Sequence, residues 1–178
     1  YEADSIGLEV TERLIQAKQR GVDVRVIIDY FTDMWISDTY HKNKEVREES
    51  AATQKMIQRM KDHDIELKRT NMLGWFHIFF LYRNHKKLVI IDDSSYIGGF
   101  NLSEHNYSWH DFMVRFDEAE ITKDFVFDFE TTQKGIRESF SLGTYIHTND
   151  RLRDTFYQLL SEATDEIIIS SPYIIDLE

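Results

Sequence analysis

The chain has no cysteine among its 178 residues, so no disulfide braces it and no thiolate can help hold a metal. The redox compartment is left open by that absence. Long apolar runs are missing too: the longest, residues 75–82, is interrupted by His77 and is far too short to cross a bilayer. Positive charge is scarce, with 21 Lys and Arg against 32 Asp and Glu and a net charge of -11. Nucleic-acid binders present a basic face, so this balance argues against DNA as the main substrate and leaves only a local basic patch from Arg83 to Lys87. No secretory leader is visible, but the sequence reads as starting mid-element, so nothing follows from that. What remains is the composition of a globular protein, 42% hydrophobic and 30% charged, at a length that suits one domain with a real core.

Glycine is sparse, with seven in the chain, which makes the Gly98-Gly99 step stand out. It lies in the run "RNHKKLVIIDDSSYIGGFNLSEHNYSWHDFMVRF", residues 83–116. Leu88 to Ile91 is apolar and β-branched, so residues 85–91 are predicted as a buried strand and residues 92–95 as the turn after it. Side chains alternate along a strand, so His85 and Lys87 share a face and can point at one phosphate. Asp92 has the opposite parity at the strand end, which suits an orienting or ion-pairing residue. Two glycines let backbone approach a ligand closely, and Asn101 supplies an amide able to donate to a phosphoryl oxygen.

A phosphodiester repels nucleophiles through its own negative charge. Neutral imidazole is nucleophilic near neutral pH and a competent leaving group, so His85 is the candidate nucleophile. Lys87 and Asn101 would stabilise charge developing in the transition state. The second imidazole nitrogen needs an acceptor, and Asp111, ahead of a strand-like run, is the candidate. A lone histidine beside a strand is ordinarily a satisfied structural residue; the full set of spaced partners reverses that reading. His41, His63, His77, His105, His110 and His147 show no metal-ligand spacing, and no P-loop or dinucleotide fingerprint is present. No metal and no cofactor are expected.

The spacing H-x-K-x4-D-x5-G-(G/S)-x-N, with His85, Lys87, Asp92, Gly98, Gly99 and Asn101 in place, resembles the signature of the phospholipase D superfamily. The "RNHKK" lead-in, the "GGFN" form and the "WHD" segment resemble its bacterial cardiolipin synthases, with His110 standing where their W-R-D has arginine. The "RGVDVRVIID" stretch is similar to the superfamily's approach to a core strand. The resemblance implies an α/β fold in which a mixed β-sheet is sandwiched by helices on both faces. It implies that Asp111 pairs with His85. By the same resemblance a phosphatidyl group would pass from one phosphatidylglycerol to the glycerol hydroxyl of another through a phosphohistidine, or to water in hydrolysis. The partners implied are a phospholipid, a membrane surface (the bacterial inner membrane) and a second H-x-K-x4-D half, from the same chain or a homodimer mate. A homodimeric nuclease of the same superfamily and a catalytically silent interaction domain are the alternatives.

Along the chain, the patterning predicts helices over residues 5–20, 50–63 and 120–134, with stripes of Val10, Leu14 and Ala17, then Ala52, Met56 and Met60, then Ile121, Phe125 and Phe129. Strands are predicted over residues 22–29, 65–68 and 111–116, a loop over 34–50, and loop then strand over 70–80. Asn149 or Asp150 can cap a further helix carrying Leu152, Phe156, Leu159 and Ala163, followed by a strand at residues 166–170 and "SSPYIID". "YEAD" at the start and "YIID" near the end share a Tyr and an Asp three apart. On the family pattern, residues 1–148 form a first phospholipase D-like domain and residues 149–178 begin a second, truncated repeat.

Overall fold

Asp4 stands just ahead of the first amphipathic stripe, and its carboxylate accepts the Gly7 N–H at 2.7 Å, which caps helix α1 (Ser5–Gln19). The computed structural model describes residues 2–29, 43–70, 84–136, 141–143, 146–148 and 150–169. Helix α1 buries Gly7, Thr11 and Ile15, one position round from the expected stripe, with Leu14 and Ala17 flanking the core. Thr11 tolerates burial because its hydroxyl donates to the Gly7 carbonyl at 2.8 Å. At the other end the N–H groups of Gly21 and Val22 donate to the carbonyls of Lys18 and Ala17. Val22 therefore closes the helix and is unavailable to a sheet, and strand β1 runs Arg25–Asp29 instead of starting at residue 22.

Helix α2 (Lys44–Asp62) begins earlier than the predicted 50–63, so residues 44–49 are helix where a loop was expected. Asn43 accounts for this: its side chain accepts the Glu45 N–H at 2.9 Å, and Glu45 sits in the positively polarised first turn. The inward face is Ser50, Thr53, Met56, Ile57 and Met60, and Ala52 is exposed. Strand β2 (Glu66–Thr70) then pairs in parallel with β1, Val26 opposite Leu67. Parallel strands need a crossover, and α2 lies within it.

Alternation along β1 decides which helix covers which face. Val24 and Ile28 join Ile15, Ile57, Met60 and Ile65 in the core, with Val26 and Leu67 packed against it. Arg25 faces the other way, 3.8 Å from Glu130 and with its guanidinium 5.5 Å from the centre of the Phe129 ring, both on helix α3 (Ala119–Gln133). Helices thus lie on both faces of the parallel pair, as the sequence led us to expect.

The second sheet is antiparallel, β3 (Lys87–Ile91), β4 (Ser94–Gly98) and β5 (Met113–Phe116) in that order. The fold is therefore a mixed α/β arrangement built from a parallel pair and an antiparallel triplet. Ile91 pairs with Ser94, so the turn is only Asp92-Asp93, and the expected four-residue turn gives up Ser94 and Ser95 to β4. Asp92 takes the left-handed φ of 50°, a conformation that Asp tolerates better than most residues. Ser95 is buried against α3, 3.1 Å from the Thr122 hydroxyl, which in turn donates to the Asp93 carbonyl at 3.0 Å. The inward face of α3 is Thr122, Phe125, Asp128 and Thr131, rotated from the predicted Ile121, Phe125, Phe129 stripe.

The chain divides into two compact units, residues 1–136 and 137–178. The second holds the short pair β6 (Ser141–Leu142) and β7 (Ile146–His147) and helix α4 (Asp150–Glu162). Residues 166–169 take no strand, contrary to expectation; a β-ladder needs a neighbour, and among the described residues none pairs with them. The expectations for residues 34–42 and 71–80, for Asn149 and for "SSPYIID" lie outside the described residues. Among those described, no helix is long and apolar enough to cross a membrane.

Asp4 also reaches beyond its own helix. Its second carboxylate oxygen accepts the Glu104 N–H at 2.6 Å, at the start of the 3-10 turn Glu104–Ser108 that follows Asn101. Asp4→Ala should lower unfolding free energy by about 1–2 kcal/mol, through a lost cap and a lost tie. A urea melt with an unchanged midpoint would show that neither bond carries weight.

Candidate active site

Lys87 is the first residue of β3, and its partner across the ladder is Gly98, the last residue of β4. This end of the hairpin sets Lys87 beside the Gly98-Gly99 step. His85 lies two residues ahead of Lys87, outside the ladder. The Lys87 ammonium sits 2.9 Å from His85 Nδ1, 3.0 Å from Nε2 and 2.8 Å from the His85 carbonyl oxygen. One ammonium equidistant from both ring nitrogens cannot lie along both lone pairs, so the carbonyl is its best-aligned partner and the ring contact is chiefly electrostatic. Imidazole and ammonium thus lie together as expected, although the strand starts at Lys87 and not at residue 85.

Burial tunes both groups. Burial, and secondarily the Lys87 charge, push the His85 imidazole below its ordinary value, with the Asp29 carboxylate opposing. Burial also lowers the Lys87 ammonium, opposed by Asp111. A depressed imidazole keeps its nucleophilic neutral form further into the acid range. The folded state then binds fewer protons than the unfolded chain in the window just below the ordinary imidazole value of 6.5. His85's contribution to stability is complete above that window and is lost as pH falls through it. Lys87→Met should raise the His85 titration midpoint, read from the imidazole C–H signals by NMR; a midpoint that stays put would mean that Lys87 does not act on the ring.

Asp111 approaches from the β5 side. Its carboxylate accepts the Phe112 N–H at 2.8 Å and lies against Gly99, where a Cβ would run into it. Gly98 is as constrained, since a Cβ there would collide with the Phe112 carbonyl oxygen and lie 2.9 Å from Met113 Cα. The two glycines let β5 and its Asp111 close onto the hairpin end that carries Lys87. The field of Asp111 acts on Lys87, and the carboxylate whose field acts on His85 is Asp29, at the end of β1. Asn101 leaves β4 in a loop where its backbone carbonyl accepts the Ser103 N–H at 2.9 Å.

Asp92 stands apart. It occupies the turn at the opposite end of β3, about 17 Å from Lys87 at the usual rise per residue of a strand. From there it shapes the hairpin and touches none of the groups around His85. His105 lies in the Glu104–Ser108 turn, edge-on to Trp109 at 5.1 Å.

Three residues around the site were not singled out in the sequence. Asp29 accepts the Asn84 N–H at 2.7 Å. Lys86 reaches both oxygens of Asp128 at 2.7 Å and the Thr132 hydroxyl at 3.2 Å. The available signal for Asp128 was its spacing, three residues beyond Phe125 on a helix that must face a sheet. An acid in that stripe calls for a cationic partner.

Comparison with known proteins places these features in a lineage. The family model described as "Cardiolipin synthase, PLD-like domain" matches residues 7–132, which spans everything from α1 to the end of α3. The chain is similar to the major cardiolipin synthase ClsA of Bacillus subtilis strain 168, 26% identical over 204 residues that cover 98% of this chain and 39% of the relative. It is also similar to cardiolipin synthase 1 of Bacillus cereus, 30% identical over 107 residues covering 58% of this chain and 18% of the relative. Cardiolipin synthase A of Proteus mirabilis is 29% identical over 126 residues, 66% of this chain and 24% of its own length. The chain thus spans about two-fifths of the length of a relative such as the Bacillus subtilis synthase, at 39%. No solved structure matches it. With its H-x-K-x4-D hairpin and a family match over most of its residues, the chain belongs to the cardiolipin synthase, PLD-like domain family.

Proposed function

We propose that this chain supplies one half of a phosphodiester-transfer site acting on phospholipids, with His85 as nucleophile. The observation that carries this reading is the convergence of the His85 ring and the Lys87 ammonium within 3.0 Å at the glycine-lined end of one hairpin, in a chain of this family. A lone-pair nitrogen of His85 attacks phosphorus, the phosphatidyl group moves to the imidazole, and the donor's glycerol leaves as an alkoxide that takes a proton. An acceptor hydroxyl then attacks the phosphohistidine and loses its proton, restoring the ring. Lys87 and the Asn101 amide stabilise the charge on the phosphoryl oxygens, and Asp111 holds the basic groups in place. Phosphatidylglycerol fits both donor and acceptor roles, since it carries a phosphodiester and free hydroxyls.

The proton for the leaving alkoxide and cations on the far side of the phosphate come from a second motif, in a second repeat that residues 149–178 begin or in a second copy of the chain. The isolated chain should accordingly be nearly inactive as a monomer. Function of this kind belongs at a membrane surface, where the substrate is. The test is incubation of the protein with both motifs present, as a longer chain or a dimer, with labelled phosphatidylglycerol vesicles. Cardiolipin and free glycerol are the expected products, and phosphatidic acid is expected where water is the acceptor. Cleavage of nucleic-acid diesters without lipid turnover would favour the nuclease alternative, which the net charge of -11 disfavours.

A further inference from the structure

His85 precedes the first laddered residue of β3, so sheet hydrogen bonds do not fix its orientation. The residues on either side of it are held by side chains. Asn84 donates its N–H to Asp29 at 2.7 Å, and its own side-chain oxygen accepts the Lys86 N–H at 3.2 Å. Lys86 then spans to α3, where its ammonium meets both Asp128 oxygens at 2.7 Å and the Thr132 hydroxyl at 3.2 Å. Asp128 is only 4% exposed, and the mechanism above makes no use of it. A carboxylate so deeply buried on the inward face of α3 is tolerated when a cation and hydrogen bonds satisfy it. Exposed ion pairs hold chains weakly, but this one has a buried, two-oxygen anchor on a packed helix.

We propose that Lys86 and Asp128 are a positioning pair that aims the His85 imidazole and the Lys87 ammonium into the site. Drawing Lys86 toward α3 turns its two neighbours to the opposite side of the extended chain, which is where the phosphate must lie. The inference rests on reading His85 and Lys87 as the reacting and phosphate-holding groups. It assigns the intervening lysine of "HKK" a role distinct from either.

The test uses the chain as it stands and needs no turnover, so failure of the lipid reaction would leave this result readable. Backbone amide exchange and the His85 imidazole signals are followed by NMR in Asp128→Asn, Lys86→Met and Lys86→Arg, with urea melts alongside. In the first two variants, exchange at residues 85–88 should accelerate about tenfold or more, while the amides of Ile15 and Met60 keep their protection. The His85 titration should move up toward the ordinary imidazole value as the ring loses its burial, with Lys87 and Asp29 still facing it. Lys86→Arg retains a donor pair for Asp128 and should restore both readouts. Thr132→Val, which keeps the core intact if the charge variants unfold, should give a smaller change in the same direction. A uniform loss of stability with no local change at His85, or no change in either readout, would overturn the proposal and leave the pair as a structural tie.

Discussion

Replacing His85 with asparagine should cut diester turnover by at least about ten-thousandfold, the scale expected when a covalent nucleophile is removed and nothing nearby can replace it. Asparagine keeps a polar planar group beside Lys87 while removing the basic nitrogen that would attack phosphorus, so the loss reports chemistry and not packing. In the unaltered enzyme, samples quenched during turnover should carry label from the phosphate of the donor in an acid-labile form, and the variant should carry none. Label that persists in His85→Asn would move the nucleophile to the second motif. His85 would then be the group that protonates the leaving alkoxide, a role its depressed titration suits less well because it holds fewer protons at neutral pH.

Gly98→Ala is expected to lower unfolding free energy by about 3 kcal/mol, the upper end for forcing a methyl group into occupied space. The upper end applies because the new Cβ meets backbone, the Phe112 carbonyl and Met113 Cα, and backbone paired in a ladder cannot turn aside as a side chain can. The damage should reach the site directly, since Gly98 is the ladder partner of Lys87. Gly99→Ala provides the contrast. There the obstruction is the Asp111 carboxylate, which can swing away, so stability should fall less while Lys87 loses a neighbouring negative charge. A urea midpoint for Gly98→Ala within error of the unaltered chain would show that β5 does not pack on the glycine as described.

The closeness of His85 and Lys87 was legible from their two-residue spacing, although the strand begins at Lys87 and not at residue 85, so His85 lies ahead of it. The presence of two strands with a helix between them was legible from the patterning, while their parallel pairing comes from the structure. Boundaries were less so. Residues 44–49 offered no apolar stripe, and only Asn43 ahead of Glu45 marked a helix start. Ser94 and Ser95 read as turn by their polarity, but Thr122 satisfies Ser95 within the interior, which no local pattern reveals. Residues 166–169, with three isoleucines in a row, read as strand, and a strand is realised only beside another. Within the site, the motif gave His85 and Lys87, which the structure brings together, whereas Asp29 and Asp128 are distant in sequence and follow no motif. The field acting on His85 from Asp29, with Asp111 acting on Lys87, is likewise a matter of tertiary approach.

The two-residue turn at Asp92-Asp93 has a consequence for the order of events as the chain folds. Closing so short a loop has a small entropic cost and takes microseconds, so the β3–β4 hairpin can form early and carry Lys87 and Gly98 into register on its own. The ties on either side of His85 span far more chain, with Asn84 meeting Asp29 across 55 residues and Lys86 meeting Asp128 across 42, and their closure costs more chain entropy than the turn does. The hairpin is accordingly expected to close before the segment that carries the imidazole is tied to β1 and α3.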